Sequence, residues 1–253
     1  MKIKTKIILL FSHLFIVNII IGQSGYFIES EIEVPNGVGS LKSKLNSSVY
    51  LMGKDIKIEI HRGNSTQIHY FKGDSVILMD KTLGYDDACG QGTREEMNAL
   101  MRENDKTVYK DVTIEKTKKT ITILGYECKN AIINYKISTM GFDMKAQNTV
   151  WYTDQLTLSE NISTGDVNNI GLKNDYVDAL KSLGGAILNQ DSKMNGATFC
   201  NITVKKIEKK DNMTADFIID KKGCKKMLTL KEHKKQMDKR QAKQMRTSNG
   251  FGN

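Results

Sequence analysis

The most regular feature of the chain is an alternation of apolar and polar residues. In residues 25–34, Ile28 and Ile32 share one face, and Glu29 and Glu31 share the other. A period of two is typical of a strand with one buried face and one solvated face. The same alternation predicts further strands in 54–62, 66–71, 74–80, 107–116, 120–137, 147–154, 197–208 and 213–220. The last two are predicted to form a hairpin around Asp211-Asn212.

Three segments have helical spacing instead. Residues 93–104 begin with a Thr93…Glu96 capping-box pattern and carry a stripe of Met97, Leu100 and Met101. Residues 174–184 begin at an asparagine cap, carry a stripe of Val177, Leu180 and Leu183, and stop at a glycine. Residues 228–246 form the third helical segment.

Strands with one apolar face are typical of antiparallel sheets, and that face must be covered. We therefore predict a mainly β (α+β) fold: one curved antiparallel sheet, or half-barrel, with two short helices on its concave face and a basic C-terminal helix. The predicted divisions are a signal peptide at 1–22, the half-barrel at 23–228 and the basic helical tail at 229–253.

The first residues have the pattern of an export signal. Lys2, Lys4 and Lys6 precede an apolar run over 7–21, and Gly22-Gln23-Ser24 provides small or polar residues for cleavage. An uncleaved membrane anchor is the alternative. The expected location is therefore exported, either periplasmic or secreted.

Charge is concentrated near the C-terminus. Residues 221–246 hold eleven Lys or Arg against Glu232 and Asp238, which gives this segment a charge of +9, equal to the formal net charge of the whole chain. The rest of the mature chain is slightly acidic, so we predict no nucleic-acid partner. The tail is either a solvated helix or a contact for an anionic membrane surface. Its apolar side chains Leu230, Met237 and Met245 are too few for insertion.

The four cysteines fit an exported chain, because disulfides persist in oxidising compartments. Four cysteines allow three pairings, and buried free thiols are an alternative. The predicted hairpin brings Cys200 opposite Cys224 if Gly223 supplies a bulge. We therefore expect the bridges Cys200–Cys224 and Cys89–Cys128, the second of which would fasten a sheet corner at Gly125.

Signatures of catalysis are missing from the sequence. It has no HExxH, GxSxG or phosphate-binding GxxxxGK[ST] motif, so we predict no enzyme activity and no cofactor. His61 and His69 read as solvated surface residues. Asp86, Asp87, Glu95 and Glu96 are potential calcium ligands, but their spacing fits no known loop, and no metal site is predicted.

The segment "TKKTITILGYECKNAIINYKI" followed by "TVWYTDQL" resembles an uncharacterised secreted domain family of Bacteroidetes-type bacteria with a GYxCK…WYT motif. A related group ends in a GLPGLI signature, which this chain lacks. The pattern is also similar to LolA/LppX-type half-barrels, and that resemblance implies a lipid or lipoprotein partner held on the concave face.

The residues expected to line such a concavity are the apolar positions of the predicted strands. The set comprises Ile28, Ile32, Ile58, Ile60, Ile68, Val76, Leu78, Val112, Ile133, Tyr135, Val150 and Tyr152. The alternative is that these side chains simply pack a dry core against Met97, Leu100, Leu180 and Leu183. A secreted interaction protein without a small ligand, which contacts its partner through the basic tail, is the second functional hypothesis.

Overall fold

A computed structural model describes residues 23–35, 43–104, 108–139, 142–156 and 174–249. The predicted signal peptide and residues 250–253 of the tail lie outside these ranges. Twelve strands and three α-helices are formed: β1 (Gly25–Val34), β2 (Ser43–Met52), β3 (Asp55–Arg62), β4 (Ser65–Lys72), β5 (Ser75–Thr82), β6 (Ala88–Thr93), α1 (Arg94–Asn104), β7 (Val108–Ile123), β8 (Tyr126–Thr139), β9 (Phe142–Thr153), α2 (Asp175–Lys181), β10 (Ala186–Met194), β11 (Ala197–Lys210), β12 (Met227–Thr229) and α3 (Leu230–Asn249).

All twelve strands belong to one curved sheet with the order β12-β6-β5-β4-β3-β2-β1-β11-β10-β9-β8-β7. Every neighbouring pair is antiparallel except β12, which runs parallel to β6. The predicted fold class is therefore confirmed. Within the described residues, no helix combines the length and the apolar character that a membrane crossing needs.

The three helices pack on the same side of the sheet, which we call the inner face. Met97 and Leu100 of α1 pack against the buried cluster that contains Phe71 and Val76. Leu180 of α2 packs in a second cluster, with Ile133. Helix α3 joins them on this face, because its Leu230 packs in the first cluster.

The helix starts that the sequence predicts are present. Thr93 N donates to Glu96 Oε2 at 2.7 Å, and Glu96 N donates to Thr93 Oγ1 at 3.1 Å, which is a complete capping box. Asn174 Oδ1 accepts from Val177 N at 2.8 Å. An equivalent box at Thr229 starts α3, although the sequence reading did not use it.

The predicted hairpin around Asp211-Asn212 is wrong. After β11 the chain forms a short 3-10 helix over Thr214–Phe217 and crosses the outer face of the sheet. Met213 and Phe217 are buried there against Tyr70. The apolar residues that suggested a strand over 213–220 instead cover the outer face of a neighbouring part of the sheet.

The predicted corner at Gly125 is also wrong. Leu124 and Gly125, with φ of 51° and 84°, form a two-residue turn between β7 and β8, where Ile123 pairs with Tyr126. Such a turn needs positive φ at both central residues, which glycine adopts without strain. The change of register in this segment therefore marks a chain reversal.

The predicted disulfides are replaced by a different bridge. Cys89 bonds to Cys224, so neither Cys89–Cys128 nor Cys200–Cys224 forms. The reason is the crossing segment, because it carries Cys224 away from β11 and to the side of β6. Cys200 instead lies opposite Ser192, and Cys128 is a buried free thiol. Burial raises the pKa of the Cys128 thiol, which argues against a reactive cysteine.

Candidate functional site: the inner face of the sheet

Five of the predicted lining residues belong to the first cluster on the inner face: Ile28, Ile58, Ile60, Val76 and Leu78. Strand register explains why they meet, since Ile28 lies opposite Val49, and Val49 lies opposite Ile58. Ile28, Val49 and Ile58 are each 1% exposed. These residues are therefore neighbours on the inner face, and their role as ligand lining stays a prediction.

Another five form a separate group near the β7 edge: Val112, Ile133, Tyr135, Val150 and Tyr152. Helix α2 covers them, since Leu180 and Leu183 pack in the same cluster. Here the arrangement is the dry core that the sequence offered as its alternative. We therefore do not place a ligand beneath α2.

The remaining two predicted residues do not join either cluster. Ile32 lies on the inner face, opposite Leu45 and Ile202. Ile68 lies on the outer face, because it is His69 that pairs with the inward-facing Ile58. The prediction placed Ile68 on the wrong side because both faces of β4 are covered, and its alternation does not reveal which one points inward.

A row of polar residues, which we call the inner polar row, runs along the same face beside the apolar centre. In sheet order its members are Asp80 of β5, Gln67 of β4, Ser47 of β2, Ser30 of β1, Gln190 and Ser192 of β10, and Asn148 of β9. All except Gln67 are at most 8% exposed. Such burial is unusual for polar side chains and needs hydrogen-bond partners.

Part of the inner polar row is satisfied within the protein. Gln190 Nε2 donates to Ser192 Oγ at 3.0 Å. Tyr135 Oη donates to Asn148 Oδ1 at 3.3 Å, and Asn148 Nδ2 donates to Tyr176 Oη of α2. These bonds tie the β9 end of the row to the second cluster.

Three oxygens of the row have no hydrogen-bond partner within the part of the chain that the structure describes. They are Ser47 Oγ, Asp80 Oδ1 and Gln190 Oε1, and each is fully buried. An unsatisfied buried polar group costs about 1–3 kcal/mol. These atoms therefore mark positions where the inner face is suited to a polar group from outside the protein.

A buried ionisable group lies where α3 meets the row. His233 Nε2 is 3.0 Å from Asp80 Oδ2, and both side chains are about 5% exposed. His69 lies beside this pair, with a buried Nδ1, so its predicted place on the solvated surface is wrong. Burial lowers the pKa of His69, Asp80 opposes that shift, and His233 adds to it.

Two glycines of β6 let α3 approach this closely. A Cβ on Gly90 would lie 2.6 Å from the Cβ of His233, and one on Gly92 would lie 2.8 Å from Leu230. The sequence suggested only a polar cluster with metal potential in this stretch. It contains a strand in which two of the inward positions are glycines, and helix α3 rests on them.

No group of three or more His, Cys, Asp or Glu side chains within the described ranges is arranged to hold a metal ion. Two of the four acidic residues considered for calcium have other roles. Asp86 pairs with Lys225 at 2.9 Å, which lowers the pKa of Asp86, and Glu96 caps α1.

An open groove of about 590 Å³ lies beside α3, between the β5–β6 turn and the helix; its lining is Gly84, Tyr85, Asp86, Gln236, Arg240 and Lys243. Arg240 donates from Nη2 to Asp86 O at 2.6 Å, and its guanidinium lies 5.7 Å from the centre of the Tyr85 ring. This groove is exposed and polar, so it differs in kind from the inner face.

Sequence reasoning missed the inner polar row because it searched for apolar lining. A usable signal is present in β2, because Ser47 alternates in step with Leu45, Val49 and Leu51 and so lies on the same face of the strand. A polar residue on the apolar parity of a strand is a candidate for a buried polar site. The strands β2 and β10 went unpredicted for the same reason.

No protein family and no curated protein matches the sequence. Among solved structures, the chain is similar to a DUF1329 family protein from Desulfovibrio piger, with a TM-score of 0.29 and 10% sequence identity. The match covers 74% of this chain and 85% of that one. A TM-score this low supports no conclusion about fold or function, and membership in the family with the GYxCK…WYT motif stays a prediction.

Proposed function

We propose that this protein is an exported, non-catalytic binder of an amphiphile, held on the centre of the inner face between α1 and α2. Ile28, Val49 and Ile58 are covered in the ligand-free chain, so the apolar part of the ligand would reach them by displacing side chains packed on their cluster, such as Met97 and Leu100 of α1. The polar head would lie along the inner polar row. The observation that carries this proposal is the unpartnered Ser47 Oγ directly beside that apolar centre.

The chemistry of the row favours a head group that donates hydrogen bonds. Gln190 Oε1 accepts only, and an ionised Asp80 carboxylate does the same. Ser47 can accept or donate. A hydroxyl-bearing head, such as that of a monoacylglycerol, therefore suits the row better than a bare carboxylate. Both a free lipid and the lipid anchor of a lipoprotein have a suitable acyl chain.

Export and the lack of catalysis belong to the same proposal. The Cys89–Cys224 bridge fits an oxidising compartment, where such bonds persist. The His233–Asp80 pair is buried where α3 meets the sheet, so it is better suited to hold the helix than to act on a substrate.

The proposal is tested by titrating the protein with a fluorescent monoacylglycerol and comparing the variants Ser47→Ala and Gln190→Leu with the wild type. Each variant should bind at least about fivefold more weakly, because one charge-neutral hydrogen bond contributes about 1 kcal/mol. Ser47→Ala should leave the stability of the ligand-free protein unchanged or slightly higher, since it removes an unpartnered hydroxyl.

The matched control is Ser48→Ala, which alters the neighbouring serine on the opposite face of β2. It should bind the probe as the wild type does. If Ser47→Ala binds as tightly as the wild type, or if the wild type binds no probe, the ligand site on the inner face is refuted. A fluorescent fatty acid that binds more tightly than the monoacylglycerol would refute the head-group preference alone.

A further inference from the structure

Helix α3 runs back along β6 and directs its basic half beyond one end of the sheet. Its Leu230 lies over Gly92, its His233 lies over Gly90, and its Arg240 reaches Tyr85 and Asp86 in the turn before β6. At 1.5 Å per residue, the remaining nine residues extend the helix about 13 Å further. The helix axis therefore passes the end of the sheet that holds the β3–β4 and β5–β6 turns, which we call the hairpin end.

Most of the large apolar side chains that are strongly exposed also lie at the hairpin end. Leu83 is 77% exposed, Phe142 is 73% exposed and Phe199 is 53% exposed. Leu83 is in the β5–β6 turn, Phe142 begins β9, and Phe199 lies near the start of β11. Antiparallel pairing puts all three positions at one end, together with the exposed Val108 at the start of β7.

These side chains are separated from one another. In sheet order, five strand spacings lie between β5 and β11, and two more lie between β11 and β9. At about 4.8 Å per spacing, measured along the sheet, they are spread over roughly 30 Å. A groove for a peptide would place its apolar positions side by side, whereas separate insertion points suit a fluid apolar medium. A lipid surface therefore fits this end better than a protein groove does.

The charges at the hairpin end complement an anionic surface. Arg62 is exposed beside the β5–β6 turn, where Leu83 N donates to Asn64 O at 3.0 Å. Two of the carboxylates there are paired with lysines, Asp86 with Lys225 at 2.9 Å and Asp143 with Lys110 at 3.9 Å. The local excess of positive charge is therefore not cancelled by these acids.

We propose that the hairpin end docks on an anionic lipid bilayer, with Leu83, Phe142 and Phe199 inserted at the interface and the C-terminal half of α3 against the head groups. This assigns a surface and an orientation to the membrane contact that the sequence predicted only for the tail. The docking does not depend on the amphiphile site, since none of its residues lies in the inner polar row.

The test measures co-sedimentation of the ligand-free protein with two kinds of vesicle, phosphatidylcholine alone and phosphatidylcholine mixed with phosphatidylglycerol. The triple variant Leu83→Ser/Phe142→Ser/Phe199→Ser should bind the mixed vesicles at least about tenfold more weakly, because each removed side chain loses its interfacial burial. The matched control is Leu124→Ser/Ile218→Ser, which removes exposed apolar residues away from the hairpin end. It should bind within about twofold of the wild type.

A second variant tests the charge. Lys243→Gln/Arg246→Gln, in the C-terminal half of α3, should weaken binding to the mixed vesicles and leave any binding to phosphatidylcholine alone unchanged, and added salt should have the same effect. Equal losses in the triple variant and its control would overturn the assigned surface. A wild type that binds neither vesicle would overturn docking on lipid altogether, in favour of a protein partner. Monoacylglycerol binding is measured separately on the same triple variant and should be unchanged, so the two proposals can fail independently.

Discussion

Helices α2 and α3 pack on the same face of one sheet, but they are held there in different ways. Helix α2 sits on apolar side chains, with Leu180 packed in the cluster of Ile133 and Val150. Helix α3 sits on glycines, with a buried His233–Asp80 pair, and a disulfide fixes the segment that leads into it. Apolar packing is largely insensitive to pH and redox state. A disulfide depends on redox state, and His69 beside the His233–Asp80 pair makes stability depend on pH, because burial lowers the pKa of His69.

This difference assigns separate roles to the two edges of the sheet. The α2 edge is the fixed part of the fold, and the α3 edge responds to its surroundings. The mature chain is predicted to be exported, and α3 is also the element that carries the basic surface. Altering one edge and measuring hydrogen exchange at both edges tests whether they are independent.

The largest effect is expected from removing the disulfide. The variant Cys89→Ala/Cys224→Ala should lose about 4 kcal/mol of unfolding free energy, because the bridge joins residues 135 apart in sequence and constrains the unfolded chain. Denaturant unfolding measures the loss. Hydrogen exchange should become faster in β12 and α3 and stay unchanged in α2. Equal acceleration in both helices would contradict the separation of the two edges.

The variant Leu180→Ala should lose about 3 kcal/mol, because it opens a cavity in the second cluster, where Leu180 is 5% exposed. Its effect on hydrogen exchange should be confined to α2. The control is Asp178→Ala on the exposed side of the same helix, for which we expect less than about 0.5 kcal/mol. A Leu180→Ala variant that also loosens α3 would show that the edges are coupled.

The variant Gly90→Ala should lose about 1–3 kcal/mol, because its Cβ would lie 2.6 Å from the Cβ of His233 and force α3 outward. Much of the cost should be recovered when Gly90→Ala is combined with His233→Gly, which removes that Cβ, in a double-mutant cycle. Additive effects in that cycle would mean that the helix does not rest on this glycine.

The smallest effect is expected from pH. The pKa of His69 is lowered in the folded state by burial, so the unfolded chain binds more protons in the window just below the ordinary value of about 6.5. The unfolding free energy should therefore be highest above that value and fall as the pH drops through the window. In the variant His69→Gln the dependence should be flatter. Unchanged pH dependence would show that His69 does not carry it, although Asp80 and His233 face the same site.

Alternation along the chain predicted the fold class because most strands have one clearly apolar face. It failed where a strand has polar residues on that face, as in β2 with Ser47, or glycines, as in β6 with Gly90. It also misassigned β4, where Ile68 and Tyr70 lie on the outer face and Tyr70 packs against the crossing segment. In each case the deciding contact comes from a distant part of the chain, which no local pattern contains.

The same limit applies to the candidate site and the cysteines. Ile28 and Ile58 could be grouped from parity alone, but their neighbour Ser47 could not be identified as buried without the sheet order. The Cys89–Cys224 bridge depends on the path of residues 211–226 across the outer face, and a simple hairpin was the wrong assumption about that path.

Native mass spectrometry of the protein purified from its own cells tests the central claim most directly. We expect a bound species with the mass of a lipid or of a lipoprotein, which is released when the protein is denatured. The released species should rebind to the delipidated wild type and bind poorly to the variant Ser47→Ala. A protein that carries no such species and takes up no monoacylglycerol after delipidation would contradict the claim that the inner face is a binding site.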